Sequence, residues 1–540
     1  MKYSFKIIFF LFFVSSISCT IRNSEVESKL TNVVWQWSVS MDDYISKETD
    51  KNPEAFLWIP ENCKQVRGIV FTQNNMIEKG ILEDAYFRNT LKNLGFAAVW
   101  VTPMFSQKFD FNTKDPKLFQ DLMIKLSEVS GYKELKEAPV VPLGHSSLAT
   151  FPWNFAVSFP KKTLAIVSIH GDAPQTHLTG YGGKNVDWNG RNIDGIPALF
   201  VMGEYEWWED RIEPGFKYQQ THPKSVITWL ADAGHGHFDY SKMLIKYVAN
   251  YIEKSAELRI KPNHKLVPVL PESGWLMDRW RKDSLPRYNS NKYASFKGIK
   301  AVSSWVFDEE MAIATENYYA NSRNKKSQYI GLIQNGDTLS PKRNHGQYKL
   351  AFQPKSDGVT FSVTPFFSDS TKIKSILNHA KAPLQLSLIT GPATKVNDTT
   401  FKLNFDQLGF NNKKRSHVIW LLAHNDGDEN YKSAVQQMEI IFPPENKKGT
   451  VQKIVFPKIN NVKQDVEKIE LKAFSSTANQ KVSYFVKQGP AYVKNNTLYL
   501  TKVPPKSKYP IKITVVAWQY GLANKVQSAK PIEQSFYILK

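Results

Sequence analysis

The chain has 540 residues, two cysteines, 42% hydrophobic residues and a formal net charge of +20. The length predicts several domains, because single cores stop growing near ~250–300 residues. The hydrophobic fraction excludes global disorder, the cysteine count excludes a disulfide scaffold, and a mean hydropathy of −0.39 excludes a polytopic membrane protein. The surplus Lys residues are scattered among Asp and Glu without a short basic block, so nucleic acid is not an expected partner. A basic surface of this kind favours acidic partners such as anionic polysaccharides.

At the N-terminus, Lys2 and Lys6 form a charged segment ahead of the apolar run I-I-F-F-L-F-F-V, which is too short to span a bilayer. Small residues then lead through Ser18 to Cys19. Residues 1–19 resemble a bacterial lipoprotein signal, although Ile17 and Ser16 depart from its commonest pattern. The resemblance implies export, cleavage before Cys19, lipidation of its thiol, and a place in the bacterial cell envelope with a lipid anchor in the membrane. Ordinary secretion with loss of Cys19 is the competing reading. Residues 20–30 are polar and read as a tether. Cys63, in W-I-P-E-N-C-K, has no partner for a disulfide and reads as structural.

From 66 to 260, short β-branched runs alternate with amphipathic helical runs. Strands are predicted at 67–72, 97–103, 139–146, 164–171, 197–204 and 225–232, and helices at 83–94, 117–129 and 240–254. The alternation predicts a parallel sheet covered on both faces, with 31–262 as one α/β domain. In open sheets of this kind, ligands sit beyond the carboxyl ends of the strands.

Three strand ends carry the residues of a nucleophilic relay. G-H-S-S-L-A (144–149) places Gly144 two residues before Ser146, G-E-Y-E (203–206) ends on Glu206, and A-D-A-G-H-G-H-F (231–238) holds His235 and His237. These segments resemble, in the same chain order, the nucleophile elbow, acid loop and histidine loop of the α/β-hydrolase family. The elbow departs from the family's G-x-S-x-G at Leu148, where a bulky side chain crowds the turn. The resemblance implies a serine esterase in which Ser146 attacks, His235 is general base with His237 as rival, and Glu206 orients the imidazole. It also implies two backbone oxyanion donors, the Ser147 N–H and, from T-Q-N-N-M (72–76), the Asn74 N–H.

Each residue also has a plainer reading. Ser146 fits a helix N-cap. Glu206 shares its loop with Glu204, Glu209 and Asp210, any of which can pair with Arg211, and Asp172 also follows a strand as a rival acid. H-G-H with Asp239 offers metal ligands, but no second ligand cluster accompanies it, so neither a metal nor a cofactor is expected. Trp207 and Trp208 follow the acid directly, and one of them is expected to face the cleft as a sugar-stacking surface.

Residues 263–340, with the aromatic and charged stretch W-L-M-D-R-W-R-K-D (275–283) and a predicted helix at 306–319, read as a connection packed on the α/β domain. Residues 341–446 read as all-β, 447–450 as a linker, and 451–540 as a module resembling a bacterial immunoglobulin-like β-sandwich. The expected function is removal of acyl groups from a small-molecule or polysaccharide substrate. A serine peptidase of the same fold and a non-catalytic glycan-binding lipoprotein are the alternatives.

Overall fold

A computed structural model describes residues 33–540 except 178, 180–181, 207–208, 263–264, 342–347 and 478–479. The expected lipidation site Cys19 and the expected sugar-stacking residues Trp207 and Trp208 lie outside the described residues. Among the described residues, no helix is long and apolar enough to cross a membrane.

Eight strands form the central sheet in the order β1-β2-β4-β3-β5-β6-β7-β8. They are β1 (Trp37–Ser40), β2 (Glu54–Trp58), β3 (Gly68–Gln73), β4 (Phe96–Thr102), β5 (Val140–His145), β6 (Ile166–Ile169), β7 (Pro197–Gly203) and β8 (Val226–Asp232). β2 pairs antiparallel with both β1 and β4, and β3 through β8 run parallel. The parallel strands are buried along their whole length, which is why their sequences read as unbroken apolar runs. The antiparallel β1–β2 edge lies ahead of the first predicted strand, which starts at residue 67.

Side chains alternate between two faces. On β3, Ile69 and Phe71 join the core built with α3 (Asp115–Ser130) and α4 (Phe151–Ser158), while Val70 joins the opposite core with α2 (Ala85–Leu94) and α6 (Lys242–Arg259). The helix expected at 83–94 is divided at Asp84. There α1 (Glu78–Glu83) ends and the Asp84 carboxylate caps α2 by accepting the Tyr86 and Phe87 N–H groups at 2.8 and 3.0 Å. The sheet with helices on both faces is the α/β-hydrolase architecture that the sequence implies.

Beyond α6, strands Trp275–Met277, Asn291–Lys292 and Ser304–Val306 form a small sheet beside β8, followed by α7 (Glu309–Ala320). The Trp229 N–H donates to Ser304 Oγ at 2.9 Å and the Tyr319 hydroxyl to the Trp229 carbonyl at 2.8 Å, fastening this region to the sheet edge.

A C-terminal region of β-sheets completes the chain. Its first core gathers Ile330, Tyr348, Phe361, Leu386, Leu421 and Met438 from three sheets. Tyr329–Gln334 pairs with Thr364–Ser368, so the boundary expected at 341 falls inside this module. The last module packs the sheet containing Ile511–Trp518 and Ile532–Leu539 against the sheet containing Thr497–Leu500, around Leu498, Ile513, Val515 and Phe536.

Candidate active site

The parallel register brings the carboxyl ends of β5, β6, β7 and β8 together, so the loops leaving them share one end of the sheet. β5 runs directly into Ser146, which holds φ +55°. That left-handed conformation costs a non-glycine residue about 1–3 kcal/mol and is retained where the surroundings enforce it. Its neighbours show how. A Cβ at Gly144 would lie 2.2 Å from the Leu148 carbonyl oxygen, and one at Gly171 would lie 2.8 Å from the Ser146 carbonyl oxygen. Leu148 does not crowd the turn, because its side chain is fully buried in the core with Phe71, Phe119 and Phe155. Ser146 is the only residue from 138 to 157 that is not buried.

Ser146 Oγ lies 2.6 Å from His237 Nε2, and His237 Nδ1 lies 2.6 Å from Glu206 Oε2. With the Nδ1 proton held by the carboxylate, Nε2 presents its lone pair to the serine hydroxyl. The imidazole is 16% exposed and the carboxylate 10%, so the relay is shielded yet open at the serine. Three loops after three strands therefore meet in one hydrogen-bonded chain.

His235, expected as base, is turned away from Ser146. Its Nδ1 is hydrogen-bonded to the Asp239 carboxylate. Burial opposes charge on this imidazole, but Asp239 and Asp232 outweigh it and raise its pKa to about 10. An imidazolium has no lone pair to accept the serine proton. The same shift sets a stability profile. The folded-state value stands above the ordinary 6.5, so the contribution is complete below about pH 6.5 and is lost as pH rises toward 10. Urea unfolding across that window is expected to lose up to about 1.4 kcal/mol per pH unit from this group. His235→Gln removes that slope.

Asp172 is also excluded from the relay. It is fully buried, it accepts the Thr150 hydroxyl, and its Oδ1 pairs with Arg211 Nη1 at 2.5 Å. The Asn74 N–H, expected in the oxyanion hole, instead donates to the Val101 carbonyl at 2.7 Å. The Asn75 and Met76 N–H groups both go to Glu78 Oε2, at 3.2 and 2.7 Å. The unspent donor of this loop is the Asn74 side-chain amide, whose Nδ2 is buried without a partner. Asn75 fastens the loop to the elbow, with Nδ2 donating to the His145 carbonyl at 2.8 Å and Oδ1 accepting from Ser147 Oγ at 3.1 Å.

Several supporting residues escaped the sequence reading. The His237 carbonyl lies 2.7 Å from His145 Nε2 and 2.9 Å from His170 Nδ1, so two imidazoles hold the backbone of the third. Burial, with His237 and His170 nearby, holds His145 well below the ordinary pKa and keeps it neutral. Burial also pulls on His170, but the hydrogen bond and charge of Asp232 outweigh it and raise its pKa. Asp232 in turn accepts the Tyr318 hydroxyl. His170 stands in I-H-G-D, at a strand end, which was the signal available for it. Glu78 accepts the His145 N–H at 3.1 Å as well, and burial raises its carboxyl to about 7 against those hydrogen bonds and the charge of Arg415.

The first β module closes on the same loops. Lys432 Nζ lies 3.0 Å from Glu204 Oε1, while Glu204 Oε2 accepts the Gly234 N–H at 2.7 Å. Ser433 Oγ donates to the Gly234 carbonyl at 2.6 Å, and the Tyr205 hydroxyl donates to the Ser433 carbonyl at 2.6 Å. The Arg415 guanidinium donates to the Asn75 carbonyl, and Trp420 stacks on Phe238 at 5.3 Å. The loops that carry Glu206 and His237 are thus both held from the β module.

Among the described residues, no group of three or more His, Cys, Asp or Glu side chains is placed to hold a metal ion. No protein-family model matches the chain, and no curated protein sequence matches it. Several solved structures are similar to part of it. One is an α/β serine hydrolase without lid from Xanthomonas campestris, at 12% identity over 42% of this chain and 95% of that one, with TM-score 0.27. An S-formylglutathione hydrolase from Agrobacterium tumefaciens is 13% identical over 41% of this chain and 94% of that one, with TM-score 0.28. The enterobactin esterase of Shigella flexneri is 12% identical over 43% of this chain and 61% of that one, with TM-score 0.31.

Proposed function

We propose that this chain is an exported serine hydrolase that cleaves carboxylic esters, removing an acyl group from a carbohydrate. The observation that carries the hydrolase reading is the Ser146–His237–Glu206 chain, with 2.6 Å at each link, on a left-handed elbow. Ser146 Oγ attacks the ester carbonyl as His237 Nε2 takes its proton. The tetrahedral oxyanion accepts hydrogen bonds from the Ser147 N–H and the Asn74 Nδ2 amide. His237 then returns the proton to the departing alcohol, and water hydrolyses the acyl-enzyme by the same relay in reverse. Glu206 holds the imidazole tautomer and stabilises its cation.

The carbohydrate substrate rests on the tryptophans that follow Glu206 in sequence, and the envelope location on the pattern of residues 1–19 ending at Cys19. The test is release of acetate from acetylated polysaccharides by residues 20–540, beside hydrolysis of p-nitrophenyl acetate. Turnover of both supports the reading. Turnover of the small ester alone removes the carbohydrate half. Turnover of neither removes the esterase.

A further inference from the structure

The aromatic and charged stretch at 275–283 lines a second cavity that the relay does not use. It has a volume of about 180 Å³ and is walled by Phe216, Trp229, Asp278, Arg279, Trp280, Arg281 and Arg287. That is smaller than the ~300–1,000 Å³ clefts that enclose drug-sized ligands, so it suits one small group. Among the described lining residues, three are arginines and one is an aspartate. The Asp278 carboxylate is occupied by backbone, its oxygens accepting the Arg279 N–H at 3.1 Å and the Arg287 N–H at 2.7 Å. Arg279 Cζ lies 3.5 Å from the centroid of the Phe216 ring, which fixes its plane against an aromatic wall. Arg281 makes one long contact, at 3.4 Å, to the Leu285 carbonyl. Among the described residues, neither Arg281 nor Arg287 pairs with a carboxylate.

The cavity is walled in part by the helix that follows the acid loop in the chain. Ile212 and Phe216 come from α5 (Glu209–Thr221), the helix that follows Glu206, and Phe200 and Leu230 come from β7 and β8. The same arginine-bearing loop sends Asp283 to Lys432 at 3.1 Å, and Lys432 holds Glu204. Guanidinium forks match carboxylates and related oxyanions by paired hydrogen bonds, and aromatic walls suit the C–H face of a sugar. We propose that this cavity is a subsite for a negatively charged sugar, which would select acidic over neutral carbohydrate. The proposal rests on the esterase reading, whose carbohydrate substrate it narrows to an acidic one.

Binding is scored without turnover, by calorimetry on the full chain with galacturonate, galactose 6-sulfate and galactose as probes. The expected result is millimolar binding of at least one charged sugar, at least tenfold weaker binding of galactose, and at least tenfold loss in Arg281→Ala/Arg287→Ala that still melts cooperatively. Preference between galacturonate and the sulfate ester identifies the carboxylate or the sulfate as the group held. Equal binding of galactose, no binding of either charged sugar, or full binding by the double variant overturns the proposal. None of these outcomes touches Ser146, whose reactivity is tested separately.

Discussion

His237→Ala is expected to lower kcat for p-nitrophenyl acetate by at least about 10³-fold while leaving the thermal melt near that of the wild type. His235→Ala is expected to do the reverse. His237 Nε2 is 2.6 Å from Ser146 Oγ, so its loss removes the one imidazole among the described residues that reaches the hydroxyl. It is the more exposed of the two, at 16%, so truncation disturbs little packing. His235 is buried against Asp239, and removing it strands a carboxylate that is 3% exposed. Breaking a buried ion pair from one side costs about 3–5 kcal/mol. The melt of His235→Ala should therefore fall sharply, while kcat per folded molecule stays within about tenfold of the wild type. Parallel kinetics and denaturant unfolding separate the two. A His235→Ala enzyme that is stable and inactive would reverse the assignment.

Lys432→Met is expected to damage stability and turnover together. The Lys432 amine is 4% exposed and Glu204 2%, and their charges meet between the β module and the acid loop. Methionine fills the space but leaves the Glu204 carboxylate buried without its partner, at a cost of about 3–5 kcal/mol. Glu204 also accepts the Gly234 N–H, so movement of its carboxylate carries the histidine loop with it. A displacement near 1 Å at the relay is enough for a loss of about 10²-fold in kcat. Adding Glu204→Gln to Lys432→Met removes the stranded charge and keeps an acceptor for Gly234. That double variant is expected to regain most of the stability and turnover. A Lys432→Met enzyme with wild-type kcat and melt would show that the β module does not hold the loops.

The sequence was most informative where one short segment contains its own reason. Gly144 before Ser146 declares a tight turn after an apolar strand, and the strand sits within a residue of where it was expected. Glu206 and the histidine loop were legible for the same reason. The choice between His235 and His237 was not. The chain turns at Gly234, with φ +79°, and the His235 N–H returns to the Asp232 carbonyl at 3.2 Å. That turn sends His235 toward Asp239 and lets His237 arrive over the elbow, an outcome decided by where two carboxylates stand in space. The Asn74 N–H expected as an oxyanion donor is consumed by the neighbouring strand β4. Lys432 and Arg415 were invisible as site residues, because Lys432 meets Glu204 across a sequence separation of 228. Nothing local in either segment records that pairing.

The most direct test of the relay is stoichiometric labelling with a fluorophosphonate, mapped by mass spectrometry on the wild type, Ser146→Ala and His237→Ala. An activated serine is required for phosphonylation, and substrate selectivity matters little to so small a probe. The structure predicts one label per chain at Ser146 in the wild type, none in Ser146→Ala, and labelling slowed by at least about 10²-fold in His237→Ala. An unlabelled wild type, or a label on another residue, would contradict it.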